Sequence, residues 1–244
     1  MKRFFFLALL ATTALAQTSK RPAAPNDSFA SDVQTIPVVA NTSGVSGAQF
    51  TTYMAIFNPT ASSMAITASL FDGNGTETDK TITLAAGELR TYTNFMADVF
   101  NALGGGAVTL RASDPSNRFI VSSEVRTGRF STTVPALEFA GSSSPSFAPG
   151  ITVDSASRTN VGCYNQSSAA NTVKANVFAS SGQSSIGSVT LTLPPNGWSQ
   201  TAVPTVVSNG YVQFVPSDSA VCYAVVVDNS TNDGRLISAA EYRP

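Results

Sequence analysis

The chain of 244 residues contains no histidine. Catalytic Ser–His–Asp and Cys–His arrangements need an imidazole, and so do zinc sites with histidine ligands. The two cysteines alone cannot supply the four ligands of a structural zinc site. These absences exclude large classes of hydrolases and zinc proteins, and we expect the protein to be no enzyme and to hold neither a metal nor another cofactor.

Charged side chains are scarce as well, at 12% of the chain, where roughly 25% is usual. No run of lysine or arginine occurs, whereas a nucleic-acid-binding protein needs a clustered positive surface. Ser, Thr, Ala, Gly and Val take the place of the charged residues. The composition argues against a nucleic-acid partner and is typical of extracellular β-sheet proteins.

The N-terminus has the three parts of a secretory signal peptide. Lys2 and Arg3 precede an apolar stretch at residues 4–11, and small residues up to Ala16 form a cleavage motif. The apolar stretch is far shorter than the roughly 20 residues of a membrane-spanning helix. The sequence predicts a signal peptide at residues 1–16, export to the periplasm or the medium, and no membrane anchor.

After a Pro/Ser/Ala-rich segment at residues 17–33, which predicts a flexible leader, short apolar runs recur about every 10 to 14 residues. Clusters of Gly, Pro, Asn or Ser separate these runs, and residues within them alternate between apolar and polar. This pattern predicts β-strands. The one helical candidate is residues 94–103, where we expect a single turn before the glycines at 104–106.

The chain contains the same passage twice, as YMAIFNPTASSMAITASLFDGNG at residues 53–75 and NVGCYNQSSAANTVKANVFASSG at residues 160–182. Asn58 matches Asn165, and the later strands follow in the same order in both halves. About seven short strands per copy is the immunoglobulin-like pattern, although the Cys…Trp…Cys spacing of true immunoglobulin domains is not met.

The repeat predicts an all-β protein of two tandem immunoglobulin-like antiparallel β-sandwiches. We place the first at residues 34–131 and the second at residues 151–244. Residues 132–150 are rich in Ser, Pro and Gly and predict a linker, in which PALEFA is a possible extra strand.

Both cysteines, Cys163 and Cys222, lie in predicted strands of the second unit, the second strand and the last. Their counterparts in the first unit are Ile56 and Ile120, so both positions are expected to face the core. In an exported protein such a pair predicts a disulfide. Two free, buried thiols are the alternative.

Acidic residues give three candidates for a catalytic or calcium-binding site, and each has an ordinary structural explanation. Glu124 and Arg126 lie two residues apart in a predicted strand, which favours a solvent-facing ion pair over an acid held for catalysis. The loops at residues 72–77 and 228–234 have oxygen-bearing side chains at alternate positions, as calcium loops do. Both loops also fit ordinary hairpin turns, and the sequence does not decide between these readings.

Aromatic residues could form a ligand-binding face. The candidates for such a face are Trp198, Tyr211 and Tyr223. Because Trp198 matches Leu89 and Tyr223 matches Val121 in the first unit, packing inside or between sheets is the competing interpretation.

Three segments carry a family resemblance: FTTYMAIFNPTASSMAITASLFDGNGTETDKTITLAAGE, SRTNVGCYNQ and AVVVDNSTNDGRLISA. Together they make residues 34–244 resemble uncharacterised exported bacterial proteins with tandem immunoglobulin-like β-sandwich units. The resemblance implies a two-sandwich exported protein. It carries over no activity and no site residue.

These observations predict a non-catalytic exported protein with a structural or adhesive role, whose partner is an unknown protein or glycan at the cell envelope. A carbohydrate-binding module is one alternative, and it would need exposed, coplanar aromatic rings. A periplasmic chaperone that offers an edge strand to a subunit is another. The acidic balance of the chain and the similarity of its halves argue against the chaperone.

Overall fold

The computed structural model describes residues 30–44, 47–138 and 141–242. Here the chain consists almost entirely of antiparallel β-strands, which confirms the predicted all-β class. A π-helical turn at Met96–Phe100 occupies the place of the predicted helical turn. No helix in the described part of the chain has the length and apolar content needed to cross a membrane. The predicted signal peptide and most of the predicted leader lie outside the described residues.

Eight strands belong to the N-terminal half, residues 30–138. They are β1 (Val33–Ser43), β2 (Gln49–Phe57), β3 (Met64–Phe71), β4 (Glu77–Leu84), β5 (Leu89–Tyr92), β6 (Gly104–Ala112), β7 (Ile120–Thr127) and β8 (Phe130–Val134). Hydrogen bonds join them in the order β4-β3-β6-β1-β2-β7-β8, and β5 pairs with β2.

Nine strands belong to the C-terminal half, residues 141–242. They are β9 (Ser146–Val153), β10 (Ser157–Asn165), β11 (Asn171–Phe178), β12 (Gly187–Leu193), β13 (Trp198–Ala202), β14 (Val207–Pro216), β15 (Ala220–Asp228), β16 (Gly234–Ser238) and β17 (Ala240–Glu241). They form a four-stranded sheet, β13-β10-β15-β16, and a five-stranded sheet, β12-β11-β14-β9-β17. The predicted linker at residues 132–150 therefore includes the end of β8 and the start of β9.

Strand β1 folds the N-terminal sheet over on itself. Residues 33–41 pair with β6, and residues 41–43 pair with β2. The register shifts between Ile36 and Val39, where Pro37 has no N–H to donate to the ladder. One long strand can therefore change partners, and the two parts of the sheet face each other across an apolar interior.

The buried apolar side chains form two large clusters, one in each half. Strand β3 shows how a cluster is filled, because Ile66, Ala68 and Leu70 alternate inward as predicted. In the C-terminal half, Val173 of β11 and Phe214 of β14 face the second cluster in the same way. Both side chains are fully buried.

Strands β10 and β15 break the alternation. Residues 161–165 and residues 220–224 are buried without interruption. The sequence of a strand is apolar without interruption when other parts of the protein cover both of its faces. One face of the four-stranded sheet covers the C-terminal cluster, and the other contacts the N-terminal half.

The repeated Asn58 and Asn165 are both fully buried. Asn165 Nδ2 donates to the carbonyl oxygens of Ala169, at 2.8 Å, and Pro194, at 2.7 Å, while its Oδ1 accepts from the Ser167 N–H at 3.0 Å. Asn58 makes the equivalent bonds in its own half, two through Nδ2 and one through Oδ1. Each buried amide therefore joins two loops through hydrogen bonds.

Asn165→Ala is expected to lower the free energy of unfolding by about 2 kcal/mol, because it removes the hydrogen bonds of a fully buried amide that joins two loops. Urea-induced unfolding would measure this loss. Asn176→Ala is the matched control, since Asn176 is half-buried on the outer face of β11, and should change stability by less than about 0.5 kcal/mol. Equal effects of the two variants would contradict a structural role for Asn165.

The pairing register of the strands corrects one of the residue matches that we predicted between the two halves. Ile56 lies opposite Val121, as Cys163 lies opposite Cys222. Val121 is therefore the counterpart of Cys222, and the choice of Ile120 was wrong by one residue. Ile120 is 42% exposed, whereas Val121 is buried. The error arose because both residues are apolar, so the sequence did not mark which of them faces inward.

Candidate functional site

The outer surface of the four-stranded sheet packs against the N-terminal half. We call this surface the docking face and define it by Trp198, Tyr223, Val225 and Leu236, which all contact the N-terminal core cluster. Tyr223 is completely buried there. A second contact lies beside it, where Tyr164 packs on Phe71 with ring centroids 5.2 Å apart.

Glycines make room for the large rings of the docking face. A Cβ on Gly162 would lie 2.3 Å from the Tyr223 hydroxyl oxygen. A Cβ on Gly105, in the N-terminal half, would lie 2.8 Å from the Trp198 ring. Both distances are shorter than atoms tolerate, so each ring occupies the place of a missing side chain.

Polar groups in this contact are hydrogen-bonded. Trp198 Nε1 donates to the Tyr223 hydroxyl at 3.1 Å, and that hydroxyl donates to Gln200 Oε1 at 3.0 Å. The Thr132 hydroxyl of β8 donates across the contact to the Gly234 carbonyl at 2.8 Å. Burial raises the pKa of Tyr223 above the ordinary tyrosine value and that of Tyr164 to about 12, so both phenols stay protonated.

Beside these contacts the two halves leave a cavity of about 500 Å³, which we call the inter-half cavity. Val39 and Val134 of the N-terminal half line it and are almost completely buried. Thr42, Ser131 and Ala202 also line it and are exposed, so the cavity opens to solvent. Its size and apolar lining are typical of small-molecule sites, which often lie between domains.

Polar groups form the smaller part of the lining of the inter-half cavity, and they comprise five hydroxyl residues and four longer side chains. Arg158, Asn160 and Gln200 come from β10 and β13, and Asn232 comes from the loop before β16. Among the described residues that line the cavity, Arg158 is the single ionisable one. The arrangement can hold an apolar molecule and orient its polar end, and it offers no pair of acids for proton transfer.

The predicted aromatic face is divided between two sheets. Trp198 and Tyr223 meet on the docking face, where Trp198 lines the inter-half cavity and Tyr223 is buried. Tyr211 lies on the outer face of the five-stranded sheet, where its ring stacks on Phe178 with centroids 4.7 Å apart. These three residues therefore do not form one exposed platform.

The sequence analysis did not identify Arg158 as a candidate. The sequence did contain a signal for the docking face. On β7 the outward positions are Ser122, Glu124 and Arg126. At the corresponding positions of β15 the residues are apolar: Tyr223, Val225 and Val227. An outward strand face that is apolar throughout indicates that another part of the protein covers it.

The predicted disulfide is present, and it joins Cys163 of β10 to Cys222 of β15. The two residues lie directly opposite each other in adjacent strands. The prediction that Cys222 lies in the last strand was wrong, because β16 and β17 follow. Neither cysteine faces the inter-half cavity, since the C-terminal cluster covers both sulfur atoms.

Glu124 and Arg126 form the predicted pair, with Arg126 Nε 3.0 Å from Glu124 Oε2. The Arg126 guanidinium lies 3.7 Å from the centroid of the Tyr53 ring. Both charged side chains are partly exposed, so the pair belongs to a solvated sheet surface.

In the two loops considered for calcium, the aspartates bind groups of their own loops. Asp72 Oδ1 accepts from the N–H groups of Asn74 and Thr76, each at 2.8 Å. Asp228 Oδ1 accepts from the backbone and hydroxyl groups of Ser230 and Thr231, and these bonds lower its pKa to about 2. No cluster of three potential metal ligands occurs among the described residues.

A second concavity, of about 530 Å³, lies on the outer side of β3, β4 and β6. Glu77, Asp79 and Glu138 line it together with Arg111. The three carboxylates belong to exposed residues, where water solvates their charges. This groove therefore has the character of a polar surface and not of a shielded acid–base site.

No protein-family model and no curated sequence matches the chain. The functional argument therefore depends on the residues and their geometry.

Proposed function

We propose that this is a non-catalytic exported binding protein, built from two tandem immunoglobulin-like β-sandwiches of the bacterial family that the sequence resembles. The inter-half cavity carries the proposal, because it is apolar, opens to solvent and lies where two modules meet.

The strand orders support two copies of one module. In the order in which the strands are hydrogen-bonded, β4-β3-β6-β1 corresponds to β12-β11-β14-β9, and β5-β2-β7-β8 corresponds to β13-β10-β15-β16. Equivalent glycines also meet equivalent strands, since Gly106 approaches the Phe71 carbonyl and Gly210 approaches the Phe178 carbonyl. The matched bonds of Asn58 and Asn165 add a third correspondence.

Export is supported by two independent features. The first 16 residues have the composition of a signal peptide. The Cys163–Cys222 bond is compatible with an oxidising compartment, because thiols in the cytosol are kept reduced.

The test is to produce the chain with its own N-terminus in a bacterium and to locate it by fractionation. We expect a protein that begins at Gln17 and lies in the periplasm or the medium. Native mass spectrometry should then show a bound small molecule that Ala202→Phe, which narrows the cavity mouth, removes. An unprocessed cytoplasmic protein would refute export. If the natural protein and Ala202→Phe both have the mass of the chain without a ligand, the binding role is refuted.

A carbohydrate-binding role is the second candidate, favoured by a row of aromatic rings on the five-stranded sheet. Phe147, Tyr211 and Phe178 lie side by side on its outer face, with the Phe147 and Tyr211 centroids 6.4 Å apart. A glycan array on the mature protein tests this candidate. Sugar binding that Tyr211→Ala abolishes would favour it over the cavity.

A further inference from the structure

We infer that the inter-half cavity binds a linear apolar molecule with one carboxylate end, a long-chain fatty acid in chemical terms, and that Arg158 receives the carboxylate. The inference rests on the proposed binding function and adds the ligand class. Three features carry it: the apolar walls, the elongated arrangement of the lining and the single cation.

The walls come from both halves and are mainly hydrocarbon. Val125 and Phe130 line the cavity from β7 and β8, and Val225 and Leu236 line it from β15 and β16. Water in contact with such surfaces is displaced favourably by an alkyl chain. A sugar or a nucleotide would leave much of this apolar surface without a matching apolar partner.

The sheet register makes the lining elongated. Trp198 lies opposite Tyr164, and Ala202 lies opposite Asn160, so β13 runs along β10 past the cavity. Arg158 lies six residues before Tyr164 on β10, a separation of roughly 20 Å at about 3.3 Å per residue. The cation and the indole therefore lie toward opposite ends of the docking face, which suits an extended chain.

Arg158 has donors left for an anion. Its guanidinium donates to Asn229 Oδ1 at 3.1 Å and to Asn232 Oδ1 at 2.8 Å. Both acceptors are neutral amides, and no ion pair of Arg158 exists among the described residues. A guanidinium has five N–H donors in a planar fork that fits a carboxylate. Asn229 and Asn232 hold this fork, and no acidic residue among the described lining competes for it.

Trp198 offers a site-specific readout, because it is the single tryptophan of the chain and lines the cavity. The probe is 11-(dansylamino)undecanoic acid, added below its micelle concentration to the mature protein. Energy transfer from Trp198 to the dansyl group should rise to saturation as the acid binds. Unlabelled palmitic acid should displace the probe, and hexadecanol should displace it about tenfold less effectively.

Arg158→Gln should raise the Kd for the acid about tenfold, the loss expected for one hydrogen bond to a charged group. It should also abolish the preference for the acid over the alcohol. Arg118→Gln is the control, since Arg118 is an exposed arginine that donates to the neutral Ala30 carbonyl and does not line the cavity. The Kd of this variant for the acid should equal that of the natural protein. Ala202→Phe should remove saturable transfer.

Two results would overturn the inference. One is the absence of saturable transfer with the natural protein. The other is binding that neither Arg158→Gln nor Ala202→Phe alters, which would place the acid elsewhere. If native mass spectrometry still shows a different molecule that Ala202→Phe displaces, the proposed binding function stands and only the ligand class is wrong.

Discussion

Gly162→Val is expected to lower the free energy of unfolding by about 3 kcal/mol, at the upper end of the usual cost of overpacking. The new Cβ would lie 2.3 Å from the hydroxyl oxygen and 2.4 Å from Cζ of Tyr223. Tyr223 cannot turn away, because it is fully buried in the N-terminal cluster and hydrogen-bonded to Trp198 and Gln200. Urea-induced unfolding measures the loss.

Gly182→Val is the matched control for this prediction. A Cβ there meets its neighbours at 3.5 Å or more, which is ordinary contact. A double-mutant cycle with Tyr223→Ala gives a sharper test, since Gly162→Val should cost at least about 1 kcal/mol less once the ring is gone. Additive effects in the cycle would mean that the ring and the glycine do not depend on each other.

Removal of the disulfide by the double variant Cys163→Ala/Cys222→Ala should lower the free energy of unfolding by about 4 kcal/mol. The bond joins residues 59 apart in the sequence, and the loop-entropy model gives this magnitude for such a loop. Both sulfur atoms are buried, so part of the loss comes from packing. Urea-induced unfolding of the oxidised natural protein against the variant measures the difference.

Unfolding of the natural protein in a thiol reductant separates the contribution of the covalent bond from that of the packed sulfur atoms. If the bond is responsible, the reduced natural protein should unfold near the urea concentration that unfolds the variant. Oxidised and reduced forms that unfold at the same concentration would show that the bond adds nothing to stability.

Local patterns predicted much of the fold, because each half is filled by residues that alternate along single strands. Strand β3 was predicted with the correct inward face, and Asn58 and Asn165, which match in the sequence, are both fully buried. The pairing of Cys163 with Cys222 followed from the matched apolar positions and the predicted export. All of these predictions depend on short stretches of sequence, in which the polarity of a side chain indicates whether it is buried or exposed.

The inter-half cavity was beyond such reasoning, because it depends on how two remote surfaces meet. Val134 and Arg158 are distant in the chain and approach each other only when the halves pack. Asn160 and Gln200 look like ordinary outward residues of a solvated sheet until the docking face is known. Proximity of this kind is set by tertiary contact, which periodicity along one strand does not encode.

The docking face also differs in charge from the outward face of β7. A head-to-tail contact between identical units can continue indefinitely and produce a filament. Here β15 presents Tyr223 and Val225 to the N-terminal half, whereas the outward face of β7 carries Glu124 and Arg126. Any surface that packed on β7 as the N-terminal half packs on β15 would have to bury the Glu124–Arg126 pair and remove its charges from water, which is costly.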